Sequence, residues 1–160
     1  MKLSHFDSKG KAIMVDVSEK EKTLREAVAC GSISMKLETF RFIMDKKISK
    51  GDVLEVARVA GIMGAKRTPD LIPMCHPLNI SSIQVNFFPC EEESRIDIEA
   101  KVKIKEKTGV EMEAFTAVAV AALTIYDMCK SVDRGMIISG ICLLEKSGGK
   151  SGHFIRKENC

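Results

Sequence analysis

Hydrophobic and polar positions change period in an ordered way along this chain. Over residues 23–37, Ala27, Ala29, Ile33, Met35 and Leu37 alternate with Glu26, Ser32, Ser34 and Lys36, and that period of two predicts a strand. Residues 38–47 place Phe40, Ile43 and Met44 on one side of a short helix that Lys50 and Gly51 break. Asp52 stands where a cap belongs, ahead of a second helix over 53–65 that carries Val56, Val59, Ala60 and Met63. Pro69, Pro73 and Pro77 predict a constrained loop rather than a helix. Residues 82–88 alternate again through Ile83, Val85 and Phe87. Residues 95–105 alternate more strictly, with Ile96, Ile98, Ala100, Val102 and Ile104 opposing a charged face, and residues 91–94 between these strands form a hairpin turn. Residues 141–144 read as a last strand. The polar, glycine-bearing ends, 1–15 and 147–160, are expected to be mobile or to order only on a ligand or neighbour.

Residues 107–130, KTGVEMEAFTAVAVAALTIYDMCK, read as one long helix built mainly from small side chains. Thr108 is placed to cap it, with Glu111 three residues on completing a capping box. Glu111 and Glu113 fall in the first turn, where the helix dipole favours negative charge. Glu113, Thr116, Thr124, Asp127 and Lys130 share a sector roughly 120° wide. The opposite side carries Ala114, Phe115, Val118, Ala121, Ala122, Ile125 and Cys129, a core stripe. The resulting order, β-α(-α)-β-β-α-β, predicts one domain over residues 1–160 with a ferredoxin-like α+β sandwich: an antiparallel sheet with helices on one face. The other face is to carry Asp97, Glu99, Lys101 and Lys103, wet or charge-paired with another subunit.

A chain of 160 residues suits a single core, and 45% hydrophobic with 29% charged residues is ordinary for a globular protein. A net charge of +3 points to neither a nucleic-acid nor a membrane partner. No continuous apolar run approaches the roughly 20 residues of a membrane span, and the N-terminus lacks the apolar core of a secretory signal. The six cysteines form no C-x-x-C pair, which favours reduced thiols and a cytoplasmic location.

The candidate chemistry is dispersed. Asp127 and Lys130, spaced i, i+3, form either a solvated ion pair worth at most roughly 0.5 kcal/mol or an acid/base couple, and spacing leaves both open. Gly149-Lys150-Ser151 is no P-loop, because position 144 is leucine and no helix follows, but glycine-rich backbone there suits an anion. Cys75 and His76 lack the further ligands a metal site needs, so no metal is assigned. Pro73 and Pro77 instead hold Met74, Cys75 and His76 for contacts to a ligand. Arg25, Lys50, Lys66 and Lys150 lie beside loop breaks, either as surface charge or converging on a polyphosphate. Glu113 and Asp127 stand fourteen residues apart, roughly 21 Å along a helix axis, so they cannot both touch one reacting atom: they serve opposite ends of an extended substrate, belong to different sites, or, the preferred inference, meet across a subunit interface.

MVDVSEKEKTLREA, SKGDVLEVARVAGIMGAKRTPDLIPMCHPL, KTGVEMEAFTAVAVAALTIYDMCK and LLEKSGGKSGHF, in this order over about residues 14–154, closely resemble the MoaC family of cyclic pyranopterin monophosphate synthases. The resemblance implies a lyase of molybdenum cofactor biosynthesis that converts (8S)-3′,8-cyclo-7,8-dihydroguanosine 5′-triphosphate to cyclic pyranopterin monophosphate and diphosphate. It implies Asp127 as the catalytic acid/base with Lys130 as its partner, and Met74, Cys75, His76, Met112 and Glu113 as substrate contacts. Glu111 joins that set, and Arg25, Lys50, Lys66 and Lys150 are added as phosphate contacts. No cofactor is required, although Mg²⁺ has a place beside the diphosphate, and the family's assembly is a homohexamer built as a trimer of dimers. Two other classes remain from the residues alone: a small RNA-binding module, disfavoured because Trp is 0 and Tyr is 1, and a scaffold for other cofactor-synthesis proteins.

Overall fold

The computed structural model describes residues 5, 7–45, 52–150 and 152–157; Lys50 and the end of the expected 38–47 helix lie outside them. The elements are β1 (Thr23–Ser34), α1 (Leu37–Met44), α2 (Val53–Lys66), α3 (Thr68–Leu71), β2 (Ser82–Cys90), β3 (Arg95–Glu106), α4 (Glu111–Cys129), β4 (Ile137–Ser147) and β5 (Phe154–Ile155). The strands form one antiparallel sheet in the order β2-β3-β1-β4-β5, the ferredoxin-like α+β arrangement predicted from element order, extended by a short edge strand.

β1 lies in the middle because its core-facing positions are small. Ala27 and Ala29 are fully buried, and a Cβ at Gly31 would come within 2.8 Å of Val118 Cγ1, so α4 rests directly on the strand. α2 closes on α4 from the side in the same way: a Cβ at Gly61 would lie 2.9 Å from the Ala117 carbonyl, and one at Gly64 would lie 2.8 Å from Val120 Cγ2. α4 is 19 residues long with a mean hydropathy of 1.4 in its most apolar window, enough by length and composition to span a bilayer. Its Ala114, Ala117, Val118, Ala121, Ala122 and Ile125 are buried in the core instead. On the opposite face of the sheet, Glu26 receives both Lys101 Nζ at 2.6 Å and Lys103 Nζ at 2.7 Å. Burial opposes ionisation there, but the two lysine hydrogen bonds outweigh it and hold the Glu26 carboxyl below its usual range.

Several expectations are corrected. Met35 and Leu37 are not strand residues: the Met35 N–H turns to the Ser94 carbonyl and the Lys36 N–H to Asp133 Oδ2, which sends the chain into α1 at Leu37. The proline-rich stretch contains a helical turn, α3, because Pro69 falls in the first turn, where its missing N–H costs nothing. The last strand is longer than 141–144, spanning Ile137–Ser147, and Phe154–Ile155 pairs with it as β5. The Thr108–Glu111 capping box does not form. Val110 is the N-cap without a side-chain bond, and the Glu111 carboxyl folds back over Gly109. Asp52 caps α2 as expected, accepting from the Glu55 N–H at 3.3 Å.

Asp133, which the hydrophobic pattern does not single out, joins the two ends of the fold. Its buried carboxylate accepts from Lys36 N–H (2.9 Å), Gly135 N–H (2.9 Å) and Thr39 Oγ1 (3.3 Å), tying the start of α1 to the turn after α4. The Lys36 hydrogen bond leads in holding its carboxyl below the ordinary 3.8. Asp133→Ala should lower stability by about 2–3 kcal/mol in urea titration, since it strands buried donors. Because the folded-state value is depressed, the contribution is complete above pH 3.8 and fades as pH falls through the folded value, so Asp133→Asn should lose that part of the acid dependence.

Candidate functional site

The N-terminal end of α4 faces a cleft assembled from four separate segments. After α3, the Cys75 N–H bonds to the Ile72 carbonyl (3.1 Å), and the loop presents Met74, Cys75 and His76. His76 Nε2 donates to the Val15 carbonyl at 2.9 Å, which fixes the ring and leaves Nδ1 outside that bond. Lys107 Nζ donates to the Ser18 carbonyl at 2.6 Å, which pins the N-terminal segment across the same opening. The enclosed space is about 420 Å³ and is lined by Arg25, Lys20, Lys107, Glu111, Met112 and the Met74–His76 loop, among others.

A second cavity of about 640 Å³ adjoins it, lined by Glu19, Lys20, Glu21, Thr23, Arg25, Gly149 and Lys150. Arg25 and Lys20 belong to both walls. The Arg25 guanidinium is oriented by main chain, with Nε donating to the Glu106 carbonyl (2.9 Å) and Nη2 to that of Lys107 (3.0 Å). Four cations, Lys20, Arg25, Lys107 and Lys150, on the two cavities suit a polyanion, and a guanidinium fork matches phosphate oxygens. Lys146 adds a charge near the cleft, 4.0 Å from Glu111.

Glu113 departs from its expected place. Instead of sharing an open face with Asp127 it is 3% exposed, and Thr116 beside it is also buried, because the small-residue contact with α2 covers that flank of α4. Burial pushes the Glu113 carboxyl up to about 7; a backbone hydrogen bond opposes this and the Glu111 charge adds to it. The Cys75 thiol is raised as well, first by its own burial and then by Glu113. Such a carboxyl holds or releases a proton near neutral pH, which a surface glutamate does not.

Asp127 and Lys130 occupy the other end of the helix. Lys130 Nζ donates to Asp127 Oδ1 at 2.7 Å, and the side chains are 54% and 66% exposed. The Asp127 hydrogen bond raises the Lys130 ammonium pKa. Of the expected site residues, Arg25, Met74, Cys75, His76, Glu111, Met112 and Lys150 line the two cavities. Glu113, Lys66, Asp127 and Lys130 do not, and Lys66 stands exposed in the last turn of α2. Lys20, Lys107 and the Val15 carbonyl were missed. Lys107 opens the KTGVEMEA block and was legible there, whereas a main-chain carbonyl leaves no trace in residue types.

The Glu113 value has a stability consequence. A carboxyl raised from 4.5 to about 7 keeps its proton in the folded state where the unfolded chain has lost it. Wild-type stability should therefore fall as pH rises from about 4.5 through 7, and Glu113→Gln should flatten that slope. Urea titrations at several pH values measure both curves.

The sequence blocks agree with comparisons to known proteins. The MoaC family model matches residues 14–149, which is 136 of the 160. A protein of Heliobacterium modesticaldum named cyclic pyranopterin monophosphate synthase is 61% identical over 156 residues, covering 98% of both chains. One of the same name from Pelotomaculum thermopropionicum is 59% identical, covering 97% of this chain and 91% of its own. Another from Thermoanaerobacter sp. is 60% identical, covering 98% and 99%. On a family match over most of its length and relatives of this identity, the chain belongs to the MoaC family.

Proposed function

We propose that this protein is a cyclic pyranopterin monophosphate synthase, which turns (8S)-3′,8-cyclo-7,8-dihydroguanosine 5′-triphosphate into cyclic pyranopterin monophosphate and diphosphate. The observation that carries the reading is the convergence of Arg25, the Met74–His76 loop, Glu111–Met112 and Lys150 on two cavities that share Lys20 and Arg25 in their walls. Its polar lobe, with Lys20, Arg25 and Lys150, suits the triphosphate, and the lobe beside His76 and Met112 suits the base-derived rings.

In the phosphate step a sugar hydroxyl bonds to the α-phosphorus and the α–β anhydride breaks. Diphosphate leaves with that electron pair, and the hydroxyl proton passes to a base. Ring opening and pterin closure are further proton transfers without net oxidation or reduction, so the reading requires no redox cofactor. Arg25 and Lys150 neutralise the charge that grows on the departing diphosphate. His76 Nδ1 and the Glu113 carboxyl near 7 are the proton-handling groups of this end. Asp127 is the acid/base of the reaction, with Lys130, 2.7 Å from it, as its partner. Any Mg²⁺ in the reaction would accompany the diphosphate, the usual place for a hard cation beside phosphate oxygens.

Asp127 lies roughly 21 Å along α4 from Glu113, too far for one chain to bring both to one reacting atom. The reading therefore includes a homo-oligomer in which the Asp127 end of one chain meets the cleft of another, within a hexamer built as a trimer of dimers. Exposed Val56, Val59, Met63 and Leu123 on the outer helical layer support subunit packing. Free thiols at Cys75 and Cys90 are in keeping with a cytoplasmic location.

Turnover of the cyclic triphosphate, followed by diphosphate release, tests the activity. Asp127→Asn should keep the wild-type melting curve while kcat drops on the order of 10²-fold or more; near-normal turnover would reduce the pair to a surface ion pair. Mixed subunits test the shared site. Asp127→Asn and His76→Ala, each inactive alone, should recover a fraction of wild-type activity after subunit exchange, because some clefts then combine two intact contributions. Demonstrated exchange with activity at the mutants' floor would place both residues in one chain's site.

A further inference from the structure

β4 ends on two glycines, Gly148 and Gly149, with φ of +88° and +73°. Both press on the residue that joins the two cavities. A Cβ at Gly148 would run into the Leu24 carbonyl and lie 3.2 Å from Arg25 Cα. A Cβ at Gly149 would collide with Arg25 Nη1 and lie 2.8 Å from Cζ and 3.0 Å from Nη2. The guanidinium is tied through Nε and Nη2 to the Glu106 and Lys107 carbonyls, so it is confined between the end of β3 and bare glycine backbone. The turn that does this also carries Lys150 to the cavity wall. Its return is fixed: the Gly152 N–H bonds to the Gly149 carbonyl (3.3 Å), β5 pairs with β4, and His153 Nε2 meets Glu145 Oε1 at 2.7 Å.

We infer that the Gly148–Gly149 turn is a positioning element for polyphosphate: its bare backbone clamps the Arg25 guanidinium and sets Lys150 beside it, so that both cations act on one anion. The inference rests on the reading above that this cavity holds the substrate's phosphates. A flexible arginine must lose rotamer freedom on meeting phosphate, and a clamped one has lost it already. Glycine in such turns also serves as an anion nest through its own N–H groups, and that alternative needs no arginine. The two differ in whether the effect of substitution passes through Arg25.

Gly152 is the internal control. Its φ of +69° imposes the same backbone penalty on alanine as Gly149, but nothing lies within 4 Å of its Cβ position. Calorimetric binding of inorganic diphosphate, with thermal unfolding of each variant, measures the difference. Gly149→Ala should weaken diphosphate roughly tenfold, the loss of one well-placed charged contact, and raise the substrate KM more than it lowers kcat. Gly152→Ala should stay within about twofold of wild type. In an Arg25→Ala background, Gly149→Ala should add nothing. Equal effects at Gly149 and Gly152, or an undiminished Gly149 effect without Arg25, would overturn the clamp; the latter result would establish the nest. If Gly149→Ala does not fold, Arg25→Lys tests the same clamp with the glycines intact. Lysine keeps the charge but loses the fork, so diphosphate should weaken by a similar factor, and an unchanged Kd would refute the inference. Wild-type protein that binds no diphosphate would instead remove the phosphate assignment of the cavity.

Discussion

Gly31 leaves space for Val118, and Gly61 and Gly64 leave space for the Ala117 carbonyl and Val120. Through these contacts α4 lies on β1 and under α2 with backbone nearly touching side chain. The α4 side of the site depends on that close approach. It closes α2 over the Glu113 flank, so a first-turn acid that would ordinarily be solvated is buried and titrates near neutrality. It also leads α2, through α3, into the Met74–His76 loop at the mouth of the same helix.

A straight helix then imposes a second constraint. With its two polar ends separated by its own length, α4 places Glu111, Met112 and the buried Glu113 at one end and an exposed Asp127–Lys130 pair at the other. For an isolated chain the second pair is an ordinary surface ion pair of little energetic value. It becomes part of a reaction site only if a second copy brings it to a cleft, where exclusion of water would strengthen its interactions with substrate. Asp133 contributes by holding the turn that follows Lys130 against the start of α1.

The fold was legible because its period is local: strict alternation over 95–105 became β3, and the β-α(-α)-β-β-α-β order led to the observed strand order. Helix periodicity alone failed at Glu113 and Thr116, since it distinguishes one buried stripe and not the second flank covered by α2. The glycines of α2 were the overlooked signal. The Thr108 cap failed because a polar side chain at the right spacing competes with tertiary contacts, here the folding of Glu111 over Gly109 toward Lys146. Most cleft residues were found through whole motif blocks. The Val15 carbonyl and the backbone clamp on Arg25 were not, since main-chain groups are common to every residue type.

The central claim is that one substrate is held by the α4 N-terminal cleft of one chain and worked on by the Asp127 end of another. A crystal structure with a non-reactive substrate analogue tests it most directly. The account predicts phosphates on Arg25 and Lys150, with the Asp127 carboxylate of a second chain within hydrogen-bonding reach of the same ligand. A ligand enclosed by a single chain, with every Asp127 facing solvent, would contradict it.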